Sequence, residues 1–418
     1  MSATGDLDAS LARIAQEDGR WHAMLALNPQ ARQEAEAADR ASGPKGALQG
    51  VMLAIKDNID VAGMATTSGC RALAGAMAGQ DAPVVARLRA AGAIVIGKTN
   101  LSEFSFEIRS RSSLGGDVLC PYAPEATAGG SSGGSAVAVA LGYAMAALGT
   151  DTGGSIRIPA ACNGLVGLRP AHGALPMQGI APLAPSTDTV GPLARSVAQA
   201  QRLYTAMGGP MPAITLPERP RIGVLRQAFG TDERILGACS RGLARLAGAG
   251  MELIDPFALL DVEALLGGRH IVDVEFAAAF DAYLARHVQP GMGPTSLCAL
   301  VASGAFLPDH AATLAARMAA DPAEAAAVLA RHRQLAAMLA AAMDEHQLDA
   351  LFYPTMRVIP EGLGNPAGGW AAELAARTGW PAITVPLAQP GQRPVGGELL
   401  VRGGQEALLF ALAAVLEG

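Results

Sequence analysis

The chain has 418 residues, half of them hydrophobic and 16% charged, which is ample for a large core and too apolar for a disordered chain. A net charge of −6 leaves no basic footprint for nucleic acid, and 4% aromatic residues leave little surface for base stacking. The five cysteines (Cys70, Cys120, Cys162, Cys239 and Cys298) form no CxxC pair. That argues against a disulfide framework or a structural zinc site and points to a reducing, cytoplasmic setting.

In chain order, "MSATGDLDASLARIAQEDGR" carries acids early and lacks the apolar segment of a signal peptide. The helix formers and spacing of "DASLARIAQ" and "PQARQEAEAADRA" predict helices over the first forty residues. A turn, a buried strand at Val51–Ile55 and a loop follow. "DAPVVARLRAAGAIVIGKTN" predicts a helix capped by Asp81 and running to about Ala91, then a strand at Ala93–Gly97. Next come a helix at Ser135–Leu141 and a strand near Met145–Leu148. Further buried strands are predicted in "RIGVLR", "LDALFYPT", "PAITVPLA" and "GELLVRG". Apolar runs such as Ala136–Gly149 are too short to span a membrane. Between Asp232 and Glu345 the chain is rich in Ala, Leu and Arg and reads as almost entirely helical. Strands alternating with helices predict an α/β fold around a parallel or mixed sheet.

Two glycine–serine turns stand out. "GGSSGGS" (Gly129–Ser135) runs directly into an apolar helix, unlike a flexible linker, and lacks the lysine of a phosphate loop. "TDTGGSIR" follows a predicted strand, so its glycines can turn the chain sharply, expose the Ser155 hydroxyl and aim successive backbone N–H groups at one point.

A serine nucleophile needs a base. His172 is the histidine nearest in sequence, but it reads as a surface turn residue, and most of the others lie in helical, Ala-rich surroundings with no acidic partner pattern. Lysine is the other option, because burial lowers its pKa whereas arginine keeps its proton. Only three of the 31 basic residues are lysines: Lys45, Lys56 and Lys98. Lys56 ends the apolar strand "VMLAIKD", and its structural alternative is pairing with Asp57 or Asp60. Lys98 is the competing candidate, with Glu103 as its natural partner.

Together "GVMLAIKDNIDVAGMATTSG", "RLRAAGAIVIGKTNLSEF", "AGGSSGGSAVAVA" and "LGTDTGGSIRIPAACNGLVGLRP" resemble the amidase signature family. The likeness is dense over Gly50–Val197 and looser over Leu348–Glu417. It implies a central mixed β-sheet covered by helices on both faces, as one domain over 1–418. Residues 1–45 would form an N-terminal helical segment, and 232–345 a helical elaboration near the substrate pocket. It also implies metal-independent hydrolysis of a carbon–nitrogen bond by a Ser–cis-Ser–Lys triad, with no cofactor. Lys56 takes the place of the base, Ser131 of the relay after a cis peptide bond, and Ser155 of the nucleophile that forms an acyl-enzyme. The N–H groups of Thr152, Gly153, Gly154 and Ser155 take the place of the oxyanion hole.

Ser132 and Ser135 then read as helix-capping and loop residues, Asp151 and Arg157 as an ion pair bracing the nucleophile turn, and Lys98 and Glu103 as structural. The chain is short for the family, and 232–345 matches little in it. The expected partner is a small-molecule amide, with neither nucleic acid nor membrane, and a homodimer is the candidate assembly. The scarcity of aromatics suggests a small or polar acyl group. The alternative reading is a glutaminase-type component of an amidotransferase complex.

Overall fold

The computed structural model describes residues 2–41, 46–213, 216–389 and 391–418. Lys45 lies outside them. Eleven strands form one sheet: β1 (Met24–Leu27), β2 (Met52–Lys56), β3 (Ile94–Thr99), β4 (Ala146–Asp151), β5 (Val166–Arg169), β6 (Thr189–Ala194), β7 (Arg221–Leu225), β8 (Glu252–Phe257), β9 (Ala350–Pro354), β10 (Ala382–Pro386) and β11 (Gly396–Leu400). Their order is β1-β3-β2-β4-β6-β5-β10-β11-β9-β7-β8. β3, β2 and β4 run parallel, as do β9, β7 and β8, and the strands between these two groups pair antiparallel.

The sheet is covered on both faces, and β2 shows why its strands read as unbroken apolar runs. Leu53 and Ile55 enter one hydrophobic core while Met52 and Ala54 enter the core on the opposite face. Side chains alternate across a strand, so a sheet buried on both sides needs apolar residues at every position.

Several predicted elements shift. β1 interrupts the N-terminal helices Ala3–Trp21 and Ala31–Arg40, pairing antiparallel with β3 at the sheet edge. Four residues with no polar–apolar alternation give no strand signal there. β8 interrupts the segment 232–345, which is otherwise helical among its regular elements. Asp81 does not cap the next helix. Ala82 does, Pro83 opens the helix, and Asp81 instead accepts from the Ala62 N–H (2.8 Å) and pairs with Arg89 (3.1 Å). Among the described residues, no helix is long and apolar enough to cross a membrane.

Candidate active site

The parallel pairing of β2 with β4 sets Leu53, Ala54 and Ile55 beside Ala146, Ala147 and Leu148. The C-terminal ends of the two strands therefore emerge together, the usual place for a site in such sheets. Lys56 ends β2, and Thr150 and Asp151 end β4. The Lys56 Nζ lies 2.6 Å from Ser131 Oγ and 2.8 Å from Thr150 Oγ1, and Asn58 Nδ2 donates to Thr150 Oγ1 at 3.0 Å. Lys56 is fully buried and contacts no carboxylate among the described residues, so its pairing with Asp57 or Asp60 is not made. Burial lowers its pKa from the ordinary 10.5 to about 7, the charges of Asp151 and Asp188 offsetting part of the effect. Near neutral pH this amine exists half as a free base.

Asp57 pairs instead with Lys98, at 2.9 Å. The Lys98 ammonium also donates to Ala65 O (2.9 Å) and Thr66 Oγ1 (3.2 Å). Glu103, the partner expected for Lys98, accepts from the backbone N–H groups of Ser113 and Leu307. Proximity in sequence misleads here. The parallel neighbour β3 brings Lys98 beside Ile55 in register, and so next to the loop that Asp57 opens.

Ser131 sits in the turn before the helix Gly133–Ala140, and the Gly130–Ser131 peptide is cis. Its carbonyl is held by Ser102 N–H (3.0 Å) and Ser110 Oγ (3.1 Å). The glycines of this turn answer to close packing. A Cβ on Gly130 would lie 2.5 Å from the Arg109 carbonyl group, and one on Gly134 would lie 2.3 Å from Asn100 O. Neither Ser132 nor Ser135 caps the helix through its side chain. Ser132 Oγ donates to Thr150 O (3.3 Å) and Ser135 Oγ to Leu148 O (2.9 Å), tying the helix to β4.

Beyond β4 the chain turns through Gly154 (φ +118°) into the short helix Arg157–Cys162. Asp151 anchors this turn. Its carboxylate accepts from the Gly154 N–H (2.9 Å), the Ile156 N–H (3.1 Å), Arg157 Nη2 (3.0 Å) and Arg169 Nη1 (2.9 Å). Burial alone would raise its pKa, but the two guanidinium charges hold it well below the usual carboxylate range. Arg157 also pairs with Glu398 and donates to Ala372 O at 2.7 Å, and it is fully buried. It therefore braces the turn from within the protein, with no exposure to a substrate.

Gly154, expected among the oxyanion donors, has its N–H committed to Asp151. The N–H groups of Thr152, Gly153 and Ser155 have no partner among the described residues. The Thr152 hydroxyl is held by Asp188, a buried carboxyl whose pKa burial raises and which also accepts from Leu183 and Ala184 N–H. The Ser155 carbonyl accepts from Ser132 N–H at 3.1 Å, which joins the two glycine–serine turns. Ser155 Oγ has no protein partner among the described residues, and Ser155 lines a cleft of about 270 Å³ with Thr152, Gly153, Phe106, His270 and Glu373.

The family model described as Amidase matches residues 7–409. The chain belongs to the amidase signature family. It is 33% identical to the indoleacetamide hydrolase of Pseudomonas savastanoi, an alignment covering 88% of this chain and 83% of that one. It is also 37% identical to a glutamyl-tRNA(Gln) amidotransferase subunit of Symbiobacterium thermophilum, over 67% of this chain and 62% of that one. Among solved structures, the peptide amidase of Stenotrophomonas maltophilia superposes with a TM-score of 0.88 at 33% identity, covering all of this chain and 93% of that one. The expected fold is thus established, and with it the enzyme class, a carbon–nitrogen hydrolase of amides.

The cleft of this amidase also holds residues that no sequence signal marks. His270 contacts Glu373 at 3.2 Å, and Asp273 pairs with Arg317 at 3.1 Å. Those partners lie 103 and 44 residues apart, so no local pattern announces them. Asp57 and Asn58 after the strand and the threonines flanking Asp151 are visible in the sequence, but the contacts of Asp57 to Lys98, of Lys56 and Asn58 to Thr150, and of Thr152 to Asp188 depend on which strands pair.

Proposed function

We propose that this amidase cleaves small amides through an acyl-enzyme on Ser155, with Lys56 as base and Ser131 as relay. The observation that carries the reading is the 2.6 Å contact between Lys56 Nζ and Ser131 Oγ, made in a dry interior where the amine loses its proton near neutrality. Neutral Lys56 takes a proton from Ser131 Oγ as Ser131 takes one from Ser155 Oγ, and Ser155 attacks the carbonyl carbon. The uncommitted N–H groups of Thr152, Gly153 and Ser155 receive the negative charge on the carbonyl oxygen. The relay then returns a proton to the nitrogen as the C–N bond breaks, releasing ammonia or an amine. Water adds to the acyl carbon by the same path, and the carboxylic acid departs. No step calls on a metal or an organic cofactor.

The segment 232–345 acts as an elaboration of the single domain, walling the cleft through His270, Asp273 and Arg317. The four buried, unpaired cysteines support a cytoplasmic, reducing location. Ser155→Ala tests the assignment. Its hydroxyl has no protein partner among the described residues, so the variant should fold normally and release no ammonia from any amide that the parent hydrolyses. Substantial retained turnover moves the nucleophile elsewhere.

The similarity to the amidotransferase component supports a second reading, a glutaminase that works only in a complex. Ammonia release by the isolated chain favours the first reading. Sedimentation of that chain separates a homodimer from a monomer lacking its partner.

A further inference from the structure

The charged groups on the cleft wall differ in how fully they are occupied. Glu107 accepts from Arg109 and Arg111 on both oxygens. Asp273 meets Arg317 Nε through Oδ1 and also leaves Oδ2 without a partner among the described residues, but it is Glu373 that stands against the nucleophile turn. On Glu373, every contact falls on one oxygen. His270 Nε2 (3.2 Å), Arg377 Nε (2.7 Å) and Arg377 Nη2 all converge on Oε2, and Oε1 has no partner among the described residues. The His270 tautomer follows from its other nitrogen. Nδ1 accepts from the Val272 N–H at 3.3 Å, so the proton sits on Nε2 and is donated to Glu373.

Glu373 stands against the nucleophile turn, since a Cβ on Gly153 would touch its Cγ at 3.9 Å. Its side chain is 31% exposed and lines the same cleft as Ser155. Burial would raise its pKa, but the hydrogen bond from His270 and the charge and hydrogen bonds of Arg377 outweigh this and hold it at about 2, so the open oxygen carries charge at any working pH.

We propose that Glu373 is a specificity-determining residue whose open Oε1 receives an ammonium group carried by the substrate beside the scissile carbonyl, so that the preferred substrates are amides of amino acids. This rests on the amidase reading above and names its substrate class. An ammonium-to-carboxylate hydrogen bond is roughly twice as strong as a neutral one, and a site holding an open charged acceptor discriminates against a substrate with no donor to offer. Arg317, whose Nη1 is buried without a partner among the described residues, is the counterweight on this wall. An enzyme governed by Arg317 would select a carboxylate-bearing amide instead.

The test uses the full chain at pH 7 and measures ammonia release from three amides of matched shape: alaninamide, isobutyramide and 2-methylmalonamate. They place an ammonium, a methyl and a carboxylate group at one position. The expected order puts alaninamide about 10- to 100-fold above isobutyramide in kcat/KM. In Glu373→Gln that ratio should fall to within about threefold, through a rise in KM for alaninamide larger than any change for isobutyramide. The parental preference should also fade above pH ~8, where the substrate amine loses its proton. That second measurement decides the matter if the variant does not fold.

Equal rates on alaninamide and isobutyramide, a preference for 2-methylmalonamate, a Glu373→Gln loss shared equally by both substrates, or a preference that persists above pH ~8 overturns the proposal and leaves the amidase reading intact. Turnover of none of the three also overturns this proposal, and the amidase reading is then decided by Ser155→Ala on an amide that the parent does hydrolyse.

Discussion

If Lys56 is the base, the pH dependence of kcat/KM reports its ionisation. A solvent-exposed lysine with the ordinary pKa of 10.5 would be neutral in only about 3 molecules per 10,000 at pH 7. Burial brings the pKa to about 7, raising that fraction to about one half, a gain of about three powers of ten in competent base. With a non-ionising neutral amide, kcat/KM should climb tenfold per pH unit below 7. It should reach about a tenth of its plateau at pH 6 and about nine-tenths at pH 8.

Stability carries the same signature. Below about 7 the lysine is protonated in both folded and unfolded chains. Between about 7 and 10.5 the unfolded chain binds a proton that the folded chain does not, so this group's contribution to stability rises with pH across that window. Lys56→Arg keeps the charge and cannot deprotonate, so it should lower kcat/KM by about 10²- to 10⁴-fold at every pH. The assay is ammonia release from pH 5 to 9.5. A profile flat from about pH 5 to 9, a rate still climbing about tenfold per unit at the upper end of that range, or an active Lys56→Arg enzyme would refute a buried lysine base.

Two substitutions probe the scaffold. Lys98→Met removes the counter-ion of buried Asp57, so denaturant unfolding should show a loss of about 3–5 kcal/mol, with turnover per folded molecule falling far less than in Lys56→Arg. The opposite pattern would exchange the roles of the two lysines. Asp151→Asn leaves Arg157 and Arg169 buried with Glu398 as the remaining carboxylate contact of the pair, and it loosens the Ser155 turn. A loss of about 3–5 kcal/mol together with reduced kcat is expected, and unchanged stability would show that Asp151 does not anchor that turn.

The sequence carries more of the catalytic turns than of the cleft wall. Gly130, Ser131, Gly154 and Ser155 lie within 25 residues of one another, and residue types mark both turns: Gly154 takes a positive φ, while Gly130 leaves room for Arg109. The Asp151–Arg157 pair is legible for the same reason, since both lie on one turn. Prediction fails where sequence neighbours are taken for spatial partners. Lys98 has Glu103 five residues on, yet it reaches Asp57 because parallel strands align the two. β1 and β8 escape prediction because an edge strand needs little apolar signal of its own when a neighbour supplies its hydrogen bonds.

The sequence by itself determined that the sheet is buried on both faces, that two glycine–serine turns present hydroxyls, and that few lysines could serve as a base. These depend on residue type and on spacing along a few turns of chain. Tertiary structure alone decided that Lys56 meets Ser131 while Lys98 pairs with Asp57, that the Gly154 N–H is committed to Asp151, and that Glu373 lines the cleft with Ser155. Each of those rests on solvent exclusion or on contacts set by strand order, which sums interactions across the whole fold and leaves no mark in any short stretch of sequence.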